Sequence, residues 1–208
     1  MKRIFSILGV AVLLSLCASA QDKTLIYKGD GPTDAINLIS GNKNIVAEKG
    51  ATYAFVADFT KTHVVNINRE NVVEKDHGLV DPYNASRGED FVKDWPVDVG
   101  VLTAKACDSI SKKLKVKCQP YGVAENPKYL MLLSLAYFDF GTFVPIGGLK
   151  DGGNIAKGIL YVYDAATEKE LAKFDVNYLR GKNVGYGNRE RMMQFGTEIG
   201  TALKKMLK

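Results

Sequence analysis

Residues 129–140 read YLMLLSLAYFDF, an apolar run interrupted only by Ser134 before Asp139. No polar residue alternates through its first half, so neither face of such a strand tolerates water. The run predicts a central strand covered on both sides at first and alternating outward later. The rest of the chain must supply its neighbours and its covers.

Candidate neighbours follow from the period-two pattern. Tyr53, Phe55, Ala57 and Phe59 alternate with Ala54, Val56 and Asp58, and β-branched residues continue through 62–68, THVVNIN. Residues 157–164 and 171–179 alternate aromatic and β-branched positions around the turn AATEKE, which predicts a hairpin. Ahead of these, residues 22–49 read as a mixed lead-in. Within it, TLIYK (24–28) and NIVAE (44–48) are predicted as short strands around a turn-rich stretch.

Candidate covers are two helices. One is predicted to begin near Trp95-Pro96, where proline suits the first helical position and Asp98 the positive first turn. Its Val99, Leu102, Ala106, Ile110 and Leu114 fall at helical spacing, and Lys112, Lys113 and Lys115 crowd its end. The other opens after a cap at Asn188 and buries Met192, Phe195, Ile199, Ala202, Leu203 and Met206. Residues 69–94, punctuated by Gly78, Pro82 and Gly88, read as a long connection with little regular structure. The predicted class is α+β: a mixed, mostly antiparallel sheet with two amphipathic helices packed on one face.

The first twenty residues stand apart. Lys2 and Arg3 precede an apolar run from Ile4 to Leu16, and Ala18-Ser19-Ala20 supplies small side chains for signal peptidase. This anatomy predicts a signal peptide over 1–20 and a single domain over 21–208, with 21–50 an extension and 51–208 the core. A retained anchor would need about 20 apolar residues, and this run is shorter. Lipidation at Cys17 is disfavoured by the bulky Leu16 before it. The expected location is periplasmic or secreted.

Removing Lys2 and Arg3 lowers the formal net charge from +5 to +3, too mild a balance to point to nucleic acid. Cys107 and Cys118 then remain. An even pair in an exported protein is a disulfide candidate if the chain reverses between them. No CxxC is present, and neither cysteine starts a helix, which disfavours a reactive-thiol enzyme.

Chemical motifs are weak. His63 and His77 lack a metal-ligand spacing, and EKDHG (74–78) reads as a solvated charged turn. Ser109 and Ser111 sit on no nucleophile elbow. Asp58, Asp139 and Asp175 lie in predicted strands and could share a face. The glycines of 141–158 precede a strand rather than a helix and lack the Gly-Lys-Ser/Thr of a phosphate loop, so no cofactor is expected. In that loop Phe143, Val144, Pro145 and Ile146 either cap the core or form an apolar tip for a partner. The basic stretch 180–191 reads as a solvated loop leading to the last helix, and Asn84-Ala85-Ser86 matches a glycosylation sequon.

The order strand, helix, strand, a hairpin reading DAATEKEL (164–171) and a terminal amphipathic helix resembles small exported and lipoprotein-type domains of Gram-negative envelopes. These are similar in arrangement to the TolB amino-terminal domain and the curli secretion lipoprotein. In those families a glycine commonly stands where this chain has Glu168. The resemblance spans roughly residues 50–208, and it implies an envelope location and protein–protein or structural work rather than chemistry.

The expected function is therefore a non-enzymatic exported envelope protein with an interaction or structural role. Its partner would be an envelope protein or a membrane surface, and a homo-oligomer is compatible with this reading. The alternative is a binder of a small ligand or glycan, in a cleft between the sheet and residues 69–94. A hydrolase ranks third. Expressed with its leader in a Gram-negative host, the chain is expected in the periplasm with Gln21 as its first residue. Mass spectrometry of the amino terminus checks this; a retained Met1 or an acylated Cys17 would overturn it.

Overall fold

The run at 129–140 is the strand on which the sheet is assembled. In the computed structural model, which describes residues 35–68, 71–141, 154–182 and 187–208, it forms β6 (Tyr129–Asp139). The other strands are β1 (Ile36–Gly41), β2 (Thr52–Asp58), β3 (His63–Ile67), β4 (Val73–Leu79), β5 (Lys117–Pro120), β7 (Ile155–Asp164) and β8 (Glu170–Arg180). The helices are α1 (Val80–Arg87), α2 (Glu89–Leu114) and α3 (Asn188–Met206).

β6 is long enough to carry two strands end to end along one edge. Its first half pairs in parallel with β2, from Tyr53 opposite Tyr129 to Asp58 opposite Ser134. Its far end pairs in parallel with β3, through His63 opposite Tyr137 and Val64 opposite Phe138. The opposite edge is taken by β7, antiparallel from Tyr129 to Asp139. The strand order is β1-β8-β7-β6-β2-β5, with β4 added antiparallel outside β3. The β6–β7, β7–β8, β1–β8 and β3–β4 pairs are antiparallel; those of β2 with β5 and β6, and of β3 with β6, are parallel. The α+β class holds.

Both faces of β6 are buried. Met131, Leu133, Leu135 and Phe138 join Tyr53, Phe55 and Phe174 beneath the helices. There they meet Leu102, Ala106 and Ile110 of α2 and Met192, Phe195, Ile199 and Leu203 of α3. On the reverse face Leu130 and Leu132 pack with Ala54, Tyr161 and Tyr163, and Tyr121 and Ala124 lie against this cluster. Each large apolar side chain fully withdrawn from water contributes about 1.5–3 kcal/mol before entropy is counted.

Several expectations are corrected. Residues 44–48 are not a strand: Lys43–Ala47 is a 3-10 turn begun by Asn42, whose side chain accepts the Asn44 N–H at 3.0 Å. The strand lies earlier, at β1, in the stretch read as turns. Its Leu38 and Ile39 are exposed, so it shows no alternation, and its pairing partner β8 is remote in sequence. Residues 69–94 are not a bare connection, since they hold β4, α1 and the start of α2. EKDHG therefore lies in a strand. β4 is polar because it is an edge strand, held to β3 by the backbone rather than by an apolar face.

α2 begins at Glu89, not at Trp95-Pro96. Gly88, with φ 114° and ψ 168°, occupies a backbone region essentially restricted to glycine and separates α1 from α2. Pro96 sits inside α2, where its missing N–H leaves the Val92 carbonyl without its helical donor. Val92, Lys93, Pro96 and Val97 are all exposed, so water serves that carbonyl. Asn188 is the first helical residue of α3, and Gly187 is its cap.

α2 and α3 touch almost backbone to backbone. A Cβ on Gly196 would stand 2.4 Å from the Leu102 carbonyl oxygen, and one on Gly200 would stand 2.5 Å from the Ser109 carbonyl carbon. The Ser109 hydroxyl spans the seam, donating to the Thr197 carbonyl at 2.6 Å. Gly→Ala in a helix ordinarily gains up to about 1 kcal/mol. Here Gly196→Ala and Gly200→Ala are each expected to destabilise by about 1–3 kcal/mol, because the helices must separate. Urea unfolding checks this; a neutral or stabilising Gly200→Ala would refute the seam.

Candidate functional site

The break at Gly88 lets α1 lie beside the first turns of α2, and the start of α3 comes up against α2. Between them is a cleft of about 320 Å³. α1 contributes Asn84; α2 contributes Asp90, Phe91, Asp94, Trp95 and Asp98; α3 contributes Asn188 and Arg189, with its cap Gly187 beside them. Steps of four residues place Asp90, Asp94 and Asp98 on one helical face, with Phe91 and Trp95 repeating the step alongside.

Trp95 is held from behind by the core. It meets Phe59 edge to face at 4.9 Å and Phe140 at 5.7 Å between ring centroids. The Arg87 guanidinium lies 3.8 Å from the centre of the Phe91 ring, which fixes that ring too. Arg189 reaches across from α3, its Nε donating to Asp98 Oδ1 at 3.1 Å and its guanidinium 3.7 Å from Asp94 Oδ1. Burial raises the Asp98 carboxyl above its ordinary pKa, opposed by the attraction of Arg189.

Asn84 is 3% exposed, and its Nδ2 has no hydrogen-bond acceptor among the described residues. A buried amide donor left unpaired costs about 1–3 kcal/mol. Asn84 borders the cleft, with that Nδ2 itself withdrawn from solvent. The same burial keeps the sequon asparagine out of reach in the folded chain.

The other candidates are placed elsewhere and engaged. His63 Nδ1 lies 2.8 Å from the Asp76 carboxylate, and His77 Nε2 lies 3.0 Å from Asn66 Oδ1. These contacts join β3 to β4, and no group of three or more metal-type ligands forms among the described residues. Asp58 accepts the Thr60 N–H at 2.9 Å. Asp139 accepts N–H groups of Ile67 at 2.6 Å and Gly141 at 2.7 Å. The Asp175 carboxyl, raised by burial, is attracted by Lys157. The three carboxylates are thus taken up by separate neighbours. Arg180 donates to Asn71 at 2.6 Å, and buried Arg191 donates to the carbonyls of Phe140 and Gly141, both at 2.9 Å. The leader, Cys17 and the loop residues Phe143, Val144, Pro145 and Ile146 lie outside the described residues.

Asp90, Phe91 and Asp94 were absent from the sequence reading, and Asn84 entered it only as a sequon, because they fall in the stretch taken for a connection. The four-residue step of Asp90, Asp94 and Asp98, followed backwards through Pro96, is the signal that would have exposed them.

No family model matches this chain, and no curated protein matches it. Among solved structures, two crystal forms of PelC from Paraburkholderia phytofirmans, both dodecamers, show a distant likeness. One, a point variant in space group C2, is 8% identical over 81% of this chain and 97% of its own, with a TM-score of 0.39. The other, in space group P6, is 10% identical over 81% and 96%, with a TM-score of 0.40.

Cys107 of α2 and Cys118 of β5 are brought together by the reversal at Lys115, whose φ of 59° and ψ of 42° end the helix. Both are buried free thiols. The Ser111 hydroxyl steadies the second, accepting the Cys118 N–H at 3.0 Å. The Cys107 thiol and burial push the Cys118 thiol far up, which disfavours its thiolate. Prolonged oxidation is expected to join the pair and to stabilise the fold by about 2–3 kcal/mol. Peptide mass mapping and urea unfolding with and without reductant check it; two thiols still alkylatable after oxidation would refute the pairing.

Proposed function

We propose that this chain is a non-enzymatic, exported binding protein of the bacterial cell envelope, and that the cleft between α1, α2 and α3 holds its ligand. The observation that carries the reading is a cleft of about 320 Å³ that brings together a fixed indole, carboxylates and a guanidinium. The leader anatomy supports export. The non-enzymatic part rests on how the reactive groups are used: both histidines tie β3 to β4, and the Ser109 hydroxyl is given to a main-chain carbonyl.

Trp95 is the single tryptophan of the chain and stands in the cleft, so its emission reports on this site alone. A panel of sugars, amino acids and polyamines is expected to contain a compound that shifts Trp95 emission and raises the melting temperature. Asn84→Leu removes a buried unsatisfied donor and is expected to leave the protein as stable or more stable in urea unfolding, by up to about 1 kcal/mol. A panel that leaves Trp95 silent would overturn the assignment.

A further inference from the structure

A helix face turned to water is ordinarily charged or polar, and the outward face of α2 is not. Lys93, Val97, Gly100, Ala104 and Asp108 follow steps of four, three, four and four residues, which keeps them on one side of the helix. All five are exposed, Val97 at 49%. Leu102, Ala106 and Ile110 of the same helix point the other way, into the core. The charged residues between the two ends are drawn to the flank facing α3: Asp94 and Asp98 to Arg189, and Lys105 to the seam at Gly196. Between Lys93 and Asp108 the outward face is therefore uncharged.

Gly100 has no reason within this chain to be glycine. Its backbone is helical rather than left-handed, and a Cβ added there would meet nothing within 4 Å among the described residues. Glycine in a helix interior is less stable than alanine. The two glycines of α3 that face α2 show what offsets that cost in this fold. Gly196 and Gly200 each admit the α2 backbone, with atoms 2.4 and 2.5 Å from where a Cβ would stand. The same use at Gly100 calls for a backbone that the described chain does not itself supply.

The charges at the two ends of the face select the partner. Lys93 and Asp108 lie equally far from the midpoint between Gly100 and Val101. Lys93 enters no ion pair among the described residues. Asp108 is 74% exposed and has only a 3.7 Å contact with Lys105, one turn back. A second α2 laid antiparallel on the first sets Lys93 against the partner's Asp108, Val97 against the partner's Ala104 and Gly100 against the partner's Val101. Twofold symmetry repeats each contact, so one face satisfies both copies. A parallel pairing would instead bring like charges together at both ends, which is unfavourable.

We propose that the outward face of α2 is a self-association surface, on which a second copy of this chain packs antiparallel about a twofold axis beside Gly100. The seam is about 22 Å long and smaller than a standard interface, so its dissociation constant is expected in the micromolar range.

The test is sedimentation equilibrium of the mature chain from about 1 to about 300 μM, a span that brackets that range. A monomer–dimer equilibrium is expected. Gly100→Arg places a long charged side chain at the axis and is expected to weaken the dimer at least about tenfold. Circular dichroism melting of that variant is expected to match or exceed the parent, since arginine suits a helix better than glycine. Lys93→Glu and Asp108→Lys each turn two attractions into two repulsions, and each is expected to weaken the dimer by about tenfold. The double variant Lys93→Glu/Asp108→Lys restores opposite charges and is expected to recover the parent's affinity. Recovery by the swap supports the antiparallel register, because a merely structural effect of either substitution would persist in the double variant. A chain that stays monomeric throughout, a dimer indifferent to Gly100→Arg, or a swap that fails to recover affinity overturns the proposal.

Discussion

β6 has no face to offer to water, and the rest of the molecule is arranged around that constraint. Helices cover one side of it and tyrosines with the loop after β5 cover the other. A strand buried on both faces must also have every backbone group paired, because an unpaired one costs about as much as a lost hydrogen bond. β7 serves one edge throughout, whereas β2 and β3 share the other. They meet where β6 bulges between Leu135 and Tyr137. There the Leu135 carbonyl accepts the hydroxyl of fully buried Thr62 at 2.8 Å.

That local repair reaches the cleft by a short covalent and hydrogen-bonded path. The Thr62 carbonyl accepts the Val80 N–H at 2.9 Å, which anchors the first residue of α1 to the sheet. One turn further on, the same helix presents Asn84. Gly88 then allows the chain to leave α1 and start α2 at once, in a conformation a side chain would oppose. Trp95, wedged between Phe59 and Phe140, sets the depth of α2 against the end of β6. The cleft walls are thus placed by the strand's own need for cover and for backbone partners, and they stand on regular elements rather than on free loops.

This dependence explains what could be read from the chain before its structure was known. Where burial writes a period into the sequence, the reading succeeded: β2, β6, the β7–β8 hairpin and the apolar stripes of α2 and α3 follow from Tyr53 to Phe59, Tyr129 to Asp139, and Leu102 to Leu203. Where an element is held by its backbone, there was no period to find. β1 exposes Leu38 and Ile39, and β4 is polar almost throughout. Pro96 misled for a different reason. Proline at the first turn is the common case, and only the hydration of the outward face makes the interior position tolerable here. The bulge in β6 also shifted the phase, so that Leu135 and Phe138 share a face despite their odd spacing.

The cleft was the least legible part, because what marks it is an absence of pairing rather than a pattern. Four buried side-chain polar atoms lack partners among the described residues, on Asn84, Asn154, Asn177 and Arg191. Arg191 spends its other nitrogen on two carbonyls, and the Asn154 amide approaches the Met192 sulfur at 3.5 Å. Of the four, Asn84 alone lines the cleft. Packing gives no reason for an amide there, since an apolar side chain of similar size would bury no desolvated donor. Stability by itself therefore does not account for the residue.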